Sequence, residues 1–133
     1  ASAKGTQLEA TPVASAVFGW LGLHRQVRVR GTVERLDADS SSEYFASRPR
    51  GSRIGAWASP QSSVIADRDE LDRRVAEVEA RFPGDDVPRP EFWGGWLIRP
   101  FEWEFWQGRP SRLHDRLRFS GRSGDWTIER LAP

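Results

Sequence analysis

Two arginines, a histidine and an aromatic platform fall close together where Glu104-Phe105-Trp106-Gln107-Gly108 is followed by Arg112-Leu113-His114-Asp115-Arg116. If this segment is extended, side chains alternate, so Leu113 and Asp115 face one way and Arg112, His114 and Arg116 line the other. That face offers two fixed cations around a titratable imidazole. Guanidinium groups grip phosphate or carboxylate in bidentate fashion and stack on flat rings, so the face suits an anionic, planar ligand. The alternative is a solvated strand edge with its charges in water.

A second set is Tyr44, Arg48 and Ser52, a phenol, a guanidinium and a hydroxyl at four-residue intervals. On a helix or helix-turn they converge on one anion; otherwise they are surface polar groups at a helix end. Gln61-Ser62-Ser63 reads by itself as a polar loop, and Gln26 as a solvated residue at a strand start. The seven tryptophans read mostly as core and interface residues, because such rings bury large areas.

These groups need a scaffold, and the pattern supplies one. Residues Lys4 to Ala10 read as a short helix closed by Thr11-Pro12. Val13 to Trp20 reads as a mostly buried strand, Leu21 to His24 as a turn, and Gln26 to Leu36 as an alternating, half-buried antiparallel strand. Asp37 to Ser47 reads as a helix stopping before Pro49, and Arg50 to Trp57 as a second short helix or turn. The clearest helix runs from Asp67 to Phe82. Asp67 and Glu70 have capping-box spacing, and Leu71, Val75, Val78 and Phe82 form one apolar stripe. Pro83-Gly84 ends it, and a proline-marked loop follows to Pro90.

The last third reads as strands Trp93 to Arg99, Trp103 to Gln107, Asp115 to Ser120 and Trp126 to Leu131, with a hairpin loop from Ser120 to Asp125. The expected fold is mainly β with flanking helices, a single domain over residues 1–133 built as a small barrel with helices packed outside it.

Composition narrows the function. Lysines and arginines nearly balance acids, for a net charge of +1, so no overall field attracts nucleic acid or an anionic membrane. The chain has no cysteine and only two, well-separated histidines, which argues against a disulfide framework and a zinc or other metal site and suits a reducing cytoplasm. No apolar run approaches the roughly 20 residues that span a bilayer. Methionine is absent, so Ala1 is not expected to be the start of the gene product.

Phe105-Trp106-Gln107-Gly108, then Arg112-Leu113-His114-Asp115-Arg116, then the closing Glu129-Arg130-Leu131-Ala132-Pro133, resemble the C-terminal part of the pyridoxamine 5'-phosphate oxidase family. These are FMN enzymes that make pyridoxal 5'-phosphate. The resemblance extends from Ser2 to Pro133 and begins at a point inside the family's sequence. It implies an FMN-binding split β-barrel that lacks its N-terminal strands here, including the one whose Arg and Lys hold phosphate.

The resemblance also implies roles. Lys4 would reach the FMN phosphate, where the family's usual preceding Arg is Ala3 in this chain. Gln26, Trp106 and Arg116 would contact the flavin. Gln61 and Ser62 would bind it from the second subunit of a homodimer. Tyr44, Arg48 and Ser52 would grip the substrate's 5'-phosphate, and Arg112 and His114, the catalytic pair, would lie over its pyridine ring. The implied activity is FMN-dependent oxidation of pyridoxine or pyridoxamine 5'-phosphate by oxygen. The alternatives are a related split-barrel oxidase of the phenazine type and a flavin-binding or dimerisation module without turnover.

Overall fold

The computed structural model describes residues 2–122 and 124–133. Its elements are α1 (Ala3–Ala10), β1 (Val13–Trp20), β2 (Arg25–Arg35), α2 (Ala38–Ala46), α3 (Arg50–Ala58), α4 (Arg68–Arg81), β3 (Trp96–Gln107), β4 (Asp115–Arg122) and β5 (Asp125–Arg130). Single-turn 3-10 helices lie at Leu21–Leu23 and Pro110–Arg112. Two compact units are formed, one from Ala1–Ala10 with Arg35–Trp96 and one from Thr11–Glu34 with Leu97–Pro133.

The helical unit is organised by capping and by a small apolar core. Asp37 accepts from the Ser40 amide at 2.7 Å and starts α2; Asp67 accepts from the Glu70 amide at 2.8 Å and starts α4. Each satisfies an amide that the first helical turn leaves without a partner. Glu70 reaches back past the expected Asp67 to the Ala66 amide, at 2.8 Å. At the other end of α4, Arg50 donates to the carbonyls of Phe82 and Gly84, at 2.6 and 2.9 Å, supplying donors where the helix has run out of its own. Phe45, Ile54, Ala58 and Val87 are buried. Trp93 lies in a turn, its ring edge-on to Phe45 at 4.9 Å.

The sheet unit carries strands in the order β1-β2-β3-β4-β5. Antiparallel registers run Val13↔Thr32 to Trp20↔Arg25, Glu102↔Ser120 to Gln107↔Asp115, and Leu117↔Arg130 to Arg122↔Asp125. Val29 and Val33 are buried on one face of β2. Gly31 sits between them because a Cβ there would come within 2.3 Å of the Arg99 carbonyl oxygen. No side chain fits that approach of β3.

Four expectations change. β1 is an edge strand with one neighbour, so Val17, Phe18 and Trp20 stand open, at 58%, 51% and 49% exposure, rather than mostly buried. The two strands expected before and after Pro100 are one strand, since proline's fixed φ suits extended backbone and the β4 register begins only at Glu102. The hairpin loop expected from Ser120 to Asp125 shrinks to the residues between Arg122 and Asp125; of these, Ser123 lies outside the described residues. Finally, Arg112 is not on a strand. Ser111 and Arg112 both have left-handed backbone, at φ 59° and 62°, so the alternation begins only at Asp115.

Among the described residues, no helix is long and apolar enough to cross a membrane. No group of three or more histidine, cysteine or acidic side chains there is placed to hold a metal ion.

Candidate functional site

In the sheet unit, Trp106 on β3 pairs in register with Arg116 on β4, which puts both side chains on one face. Glu104, two residues before Trp106, shares that face and is buried at 5% exposure. Arg116 donates from Nε to Glu104 Oε1 at 2.7 Å, and Arg28 from Nη2 to Oε2 at 2.7 Å. The hydrogen bond from Arg116, with the charges of Arg116 and Arg28 behind it, holds the Glu104 carboxyl below its ordinary value against the opposing effect of burial. Arg116 also donates from Nη1 to the Ala132 carbonyl at 2.9 Å. Its guanidinium is thus tied on two sides.

His114 lies against Trp106, with ring centroids 4.7 Å apart and planes 44° off parallel. Its Nδ1 accepts from the Arg109 amide at 3.2 Å. In a neutral ring that leaves the proton on Nε2. Asp115, held below its ordinary value chiefly by the Arg109 hydrogen bond, accepts from Arg109 at 2.7 Å and Arg130 at 2.9 Å and fastens the turn.

Gln107 ties the base of that turn to the segment ahead of β2. It accepts from Arg25 Nε at 2.6 Å and donates toward the Leu23 and His24 carbonyls at 3.3 Å. A Cβ at Gly108 would meet the His24 Cβ at 2.9 Å, so this close approach also excludes a side chain. A cleft of about 500 Å³ opens beside the turn, walled by Trp20, Gln26, Val27, Phe105, Trp106 and Leu117 among others. The expected Gln26 and Trp106 therefore share one cleft. Arg116 and His114 flank Trp106, and Arg112 is exposed on its left-handed turn.

In the helical unit a cavity of about 710 Å³ is lined by Arg48, Ser52, Gln61, Arg35, Trp93 and Trp96 among others. The Arg48 guanidinium lies over the Trp93 ring at 5.1 Å, and its Nη1 is buried without a hydrogen-bond partner among the described residues. A buried donor left unpaired is costly, so this atom is suited to an acceptor oxygen. Tyr44 stacks on Trp93 at 6.1 Å but is 62% exposed and lies outside the cavity wall. Lys4 and Ser62 are likewise exposed and outside it; Ser62 has a left-handed φ of 68°.

Two members of these sites carry no sequence expectation. Arg35 joins the helical-unit cavity, bonded to Glu9 and 4.6 Å over Trp96, with no motif to single it out. Glu104 had a readable sign: a lone carboxylate between Trp103 and Phe105, in phase with Arg28 and Arg30 on an alternating strand.

A family model described as pyridoxamine 5'-phosphate oxidase matches residues 1–82, more than half of the chain. The chain belongs to the pyridoxamine 5'-phosphate oxidase family. A second model, described as the pyridoxine 5'-phosphate oxidase C-terminal dimerisation region, matches residues 93–133. The pyridoxine/pyridoxamine 5'-phosphate oxidase of Salinibacter ruber is 57% identical over 99% of this chain, which spans 63% of that relative. The enzyme of the same name from Synechocystis is 55% identical over 99% of this chain and 62% of its own length.

Among solved structures, PhzG from Burkholderia lata, in complex with tetrahydrophenazine-1-carboxylic acid, superposes with a TM-score of 0.91 at 32% identity. It aligns with 99% of this chain, which covers 64% of PhzG. A pyridoxamine 5'-phosphate oxidase-related, FMN binding protein from Nostoc punctiforme matches with a TM-score of 0.74 over 99% of this chain and 69% of its own. At 15% identity that likeness speaks for the fold alone. The fold is the split barrel of this family, seen here as a five-stranded sheet and a helical unit.

Proposed function

We propose that the protein containing this chain oxidises pyridoxine or pyridoxamine 5'-phosphate to pyridoxal 5'-phosphate, with FMN as cofactor and oxygen as final acceptor. The observation that carries the substrate reading is the unpartnered, buried Nη1 of Arg48 in a cavity shared with Ser52, in a chain whose relatives are named for 5'-phosphate substrates. Arg48 supplies charge and Ser52 a hydroxyl to the substrate phosphate, with Tyr44 at the rim. His114 and Arg112 orient the pyridine ring, His114 by donating from Nε2. Fixing the reacting carbon in one geometry removes much of the entropic barrier.

The residues present fit a flavin. Trp106 and Gln26 wall one cleft of about 500 Å³, large enough for a planar ring system. Within the sheet unit they would hold FMN together with Arg116; in the helical unit Lys4 would meet an FMN phosphate, and Gln61 and Ser62 would reach the flavin of a partner subunit. Bound FMN would supply hydride acceptance and the reduction of oxygen. A homodimer is supported by the dimerisation-region model over residues 93–133 and by exposed apolar side chains such as Phe105 and Ile128, and its FMN sites would be shared between the subunits. The absence of cysteine supports a cytoplasmic setting.

A second reading, an oxidase of the phenazine type, is favoured by the 0.91 superposition on PhzG. Titrating the full-length protein with FMN and then adding pyridoxine 5'-phosphate under air separates the two. Formation of pyridoxal 5'-phosphate is the expected result; flavin retention without that product would reject the first reading and leave the second, or a binding module. Replacing Arg112 by Ala is expected to impair turnover far more than flavin retention, and equal loss of both would refute its assignment.

A further inference from the structure

We infer that Glu104 is a positioning residue of the flavin site, its buried carboxylate fixing the Arg116 guanidinium in the orientation from which Arg116 meets the cofactor. The inference rests on the reading of Arg116 as a flavin contact.

Glu104 interrupts the aromatic run Trp103-Glu104-Phe105-Trp106 at 5% exposure, where an apolar residue would pack without a charge to compensate. Its two oxygens do different jobs. Oε2 takes Arg28 Nη2 at 2.7 Å and is anchored to β2 by it; Arg28 also reaches Glu102 at 3.4 Å. Oε1 takes Arg116 Nε at 2.7 Å. Because the carboxylate is already held by Arg28, it cannot swing to follow Arg116, and Arg116 must come to it.

The Ala132 carbonyl meets Arg116 Nη1 at 2.9 Å from another direction. A guanidinium is rigid and planar, so two contacts on different nitrogens define its plane and commit the remaining Nη protons to one side. Trp106, directly opposite Arg116 in register, is on that same face of the sheet. Pre-orienting the donor removes an ordering cost that the cofactor would otherwise meet on binding.

The test is a double-mutant cycle in FMN affinity, read by flavin fluorescence quenching on the full-length apoprotein with Glu104→Gln, Arg116→Gln and the pair together. Glu104→Gln is expected to weaken FMN about tenfold and Arg116→Gln about thirtyfold, with the double variant within about twofold of Arg116→Gln alone. Losses that multiply would mean that Glu104 acts through the fold and would overturn the inference. Unchanged affinity in Glu104→Gln beside a clear loss in Arg116→Gln would remove Glu104's role and keep Arg116's. An Arg116→Gln protein that binds FMN normally would overturn the reading of Arg116 and the inference with it. If Glu104→Gln does not fold, Glu104→Asp keeps the charge near Arg28 but shortens the reach to Arg116. Its expected several-fold loss must vanish in the Arg116→Gln background, and persistence there would overturn the inference.

Discussion

In the helical unit, Arg48 keeps a buried Nη1 with no partner, over an aromatic ring and beside a cavity. In the sheet unit, Arg116 and Arg28 converge on one buried carboxylate, and Arg116 adds a backbone carbonyl. The contrast extends to what holds each unit: Phe45, Ile54, Ala58 and Val87 make a small apolar core in the first, while the second combines Val29 and Val33 with charge pairs across its strands. Arg28 also keeps a buried Nε without a partner among the described residues, so what separates the two places is the carboxylate that Arg28 and Arg116 share. On the proposed reading, the same residue type would serve binding in one place and geometry in the other.

The largest break is aimed at the sheet. Gly31→Val drives a side chain into the Arg99 carbonyl, which a Cβ alone would approach to 2.3 Å. The expected cost is about 4 kcal/mol or more, read from denaturant unfolding followed by tryptophan fluorescence. A loss below about 1 kcal/mol would mean that β2 and β3 shift apart easily.

The matching break in the helical unit is Phe45→Ala, which empties a side chain 1% exposed and is expected to cost about 3 to 4 kcal/mol in the same assay. Coincident transitions in both variants would make the two units one cooperative body, and separate transitions two.

Arg48→Lys sharpens the contrast between cations. It keeps the charge but loses the planar fork, so stability should move by less than about 1 kcal/mol while affinity for pyridoxine 5'-phosphate falls about tenfold. Calorimetric titration of the full-length protein checks this, and unaltered affinity would remove Arg48 from the phosphate site.

The smallest effect is in acid. Because the Glu104 carboxyl titrates lower when folded than when unfolded, its contribution is complete above the ordinary glutamate value and is lost as pH falls through the lowered one. Thermal unfolding scanned downward in pH should therefore show an acid-side fall that Glu104→Gln reduces; an identical profile in that variant would remove Glu104 as its source.

Local elements were readable because each rests on neighbouring residues. Asp37 and Asp67 announce helix starts, Val29 and Val33 mark one face of a strand, and the short spacing between Trp106 and His114 in sequence corresponds to rings in contact. What the sequence hid depends on distant partners or on unusual backbone. The burial of β1 could not be read from its apolar content, since burial depends on how many strands flank it. The alternation placing Arg112 with Arg116 failed because two consecutive left-handed residues precede the strand, and neither is the glycine that would have signalled them. The carboxylate behind Arg116 is twelve residues away along the chain, across a strand pair whose register had to be known first.

The neighbours β2 and β3 are joined in sequence only through everything from Leu36 to Gly95, whereas β3, β4 and β5 follow one another through short turns. Closing a long stretch of chain costs more entropy than closing a turn, by about 0.6 kcal/mol for each doubling of length. The order of events during folding is thereby biased: the β3-β4-β5 meander is expected to acquire amide protection first in a pulse-labelling refolding experiment, and the β2 amides on the side away from β1, such as those of Arg28 and Arg30, later, since Val33 donates to Pro12 on the β1 side. Simultaneous protection would mean that the intervening helices form early enough to shorten the effective loop. In the expected order, the strand pair that brings Arg28 beside Glu104 is the last part of the sheet unit to close.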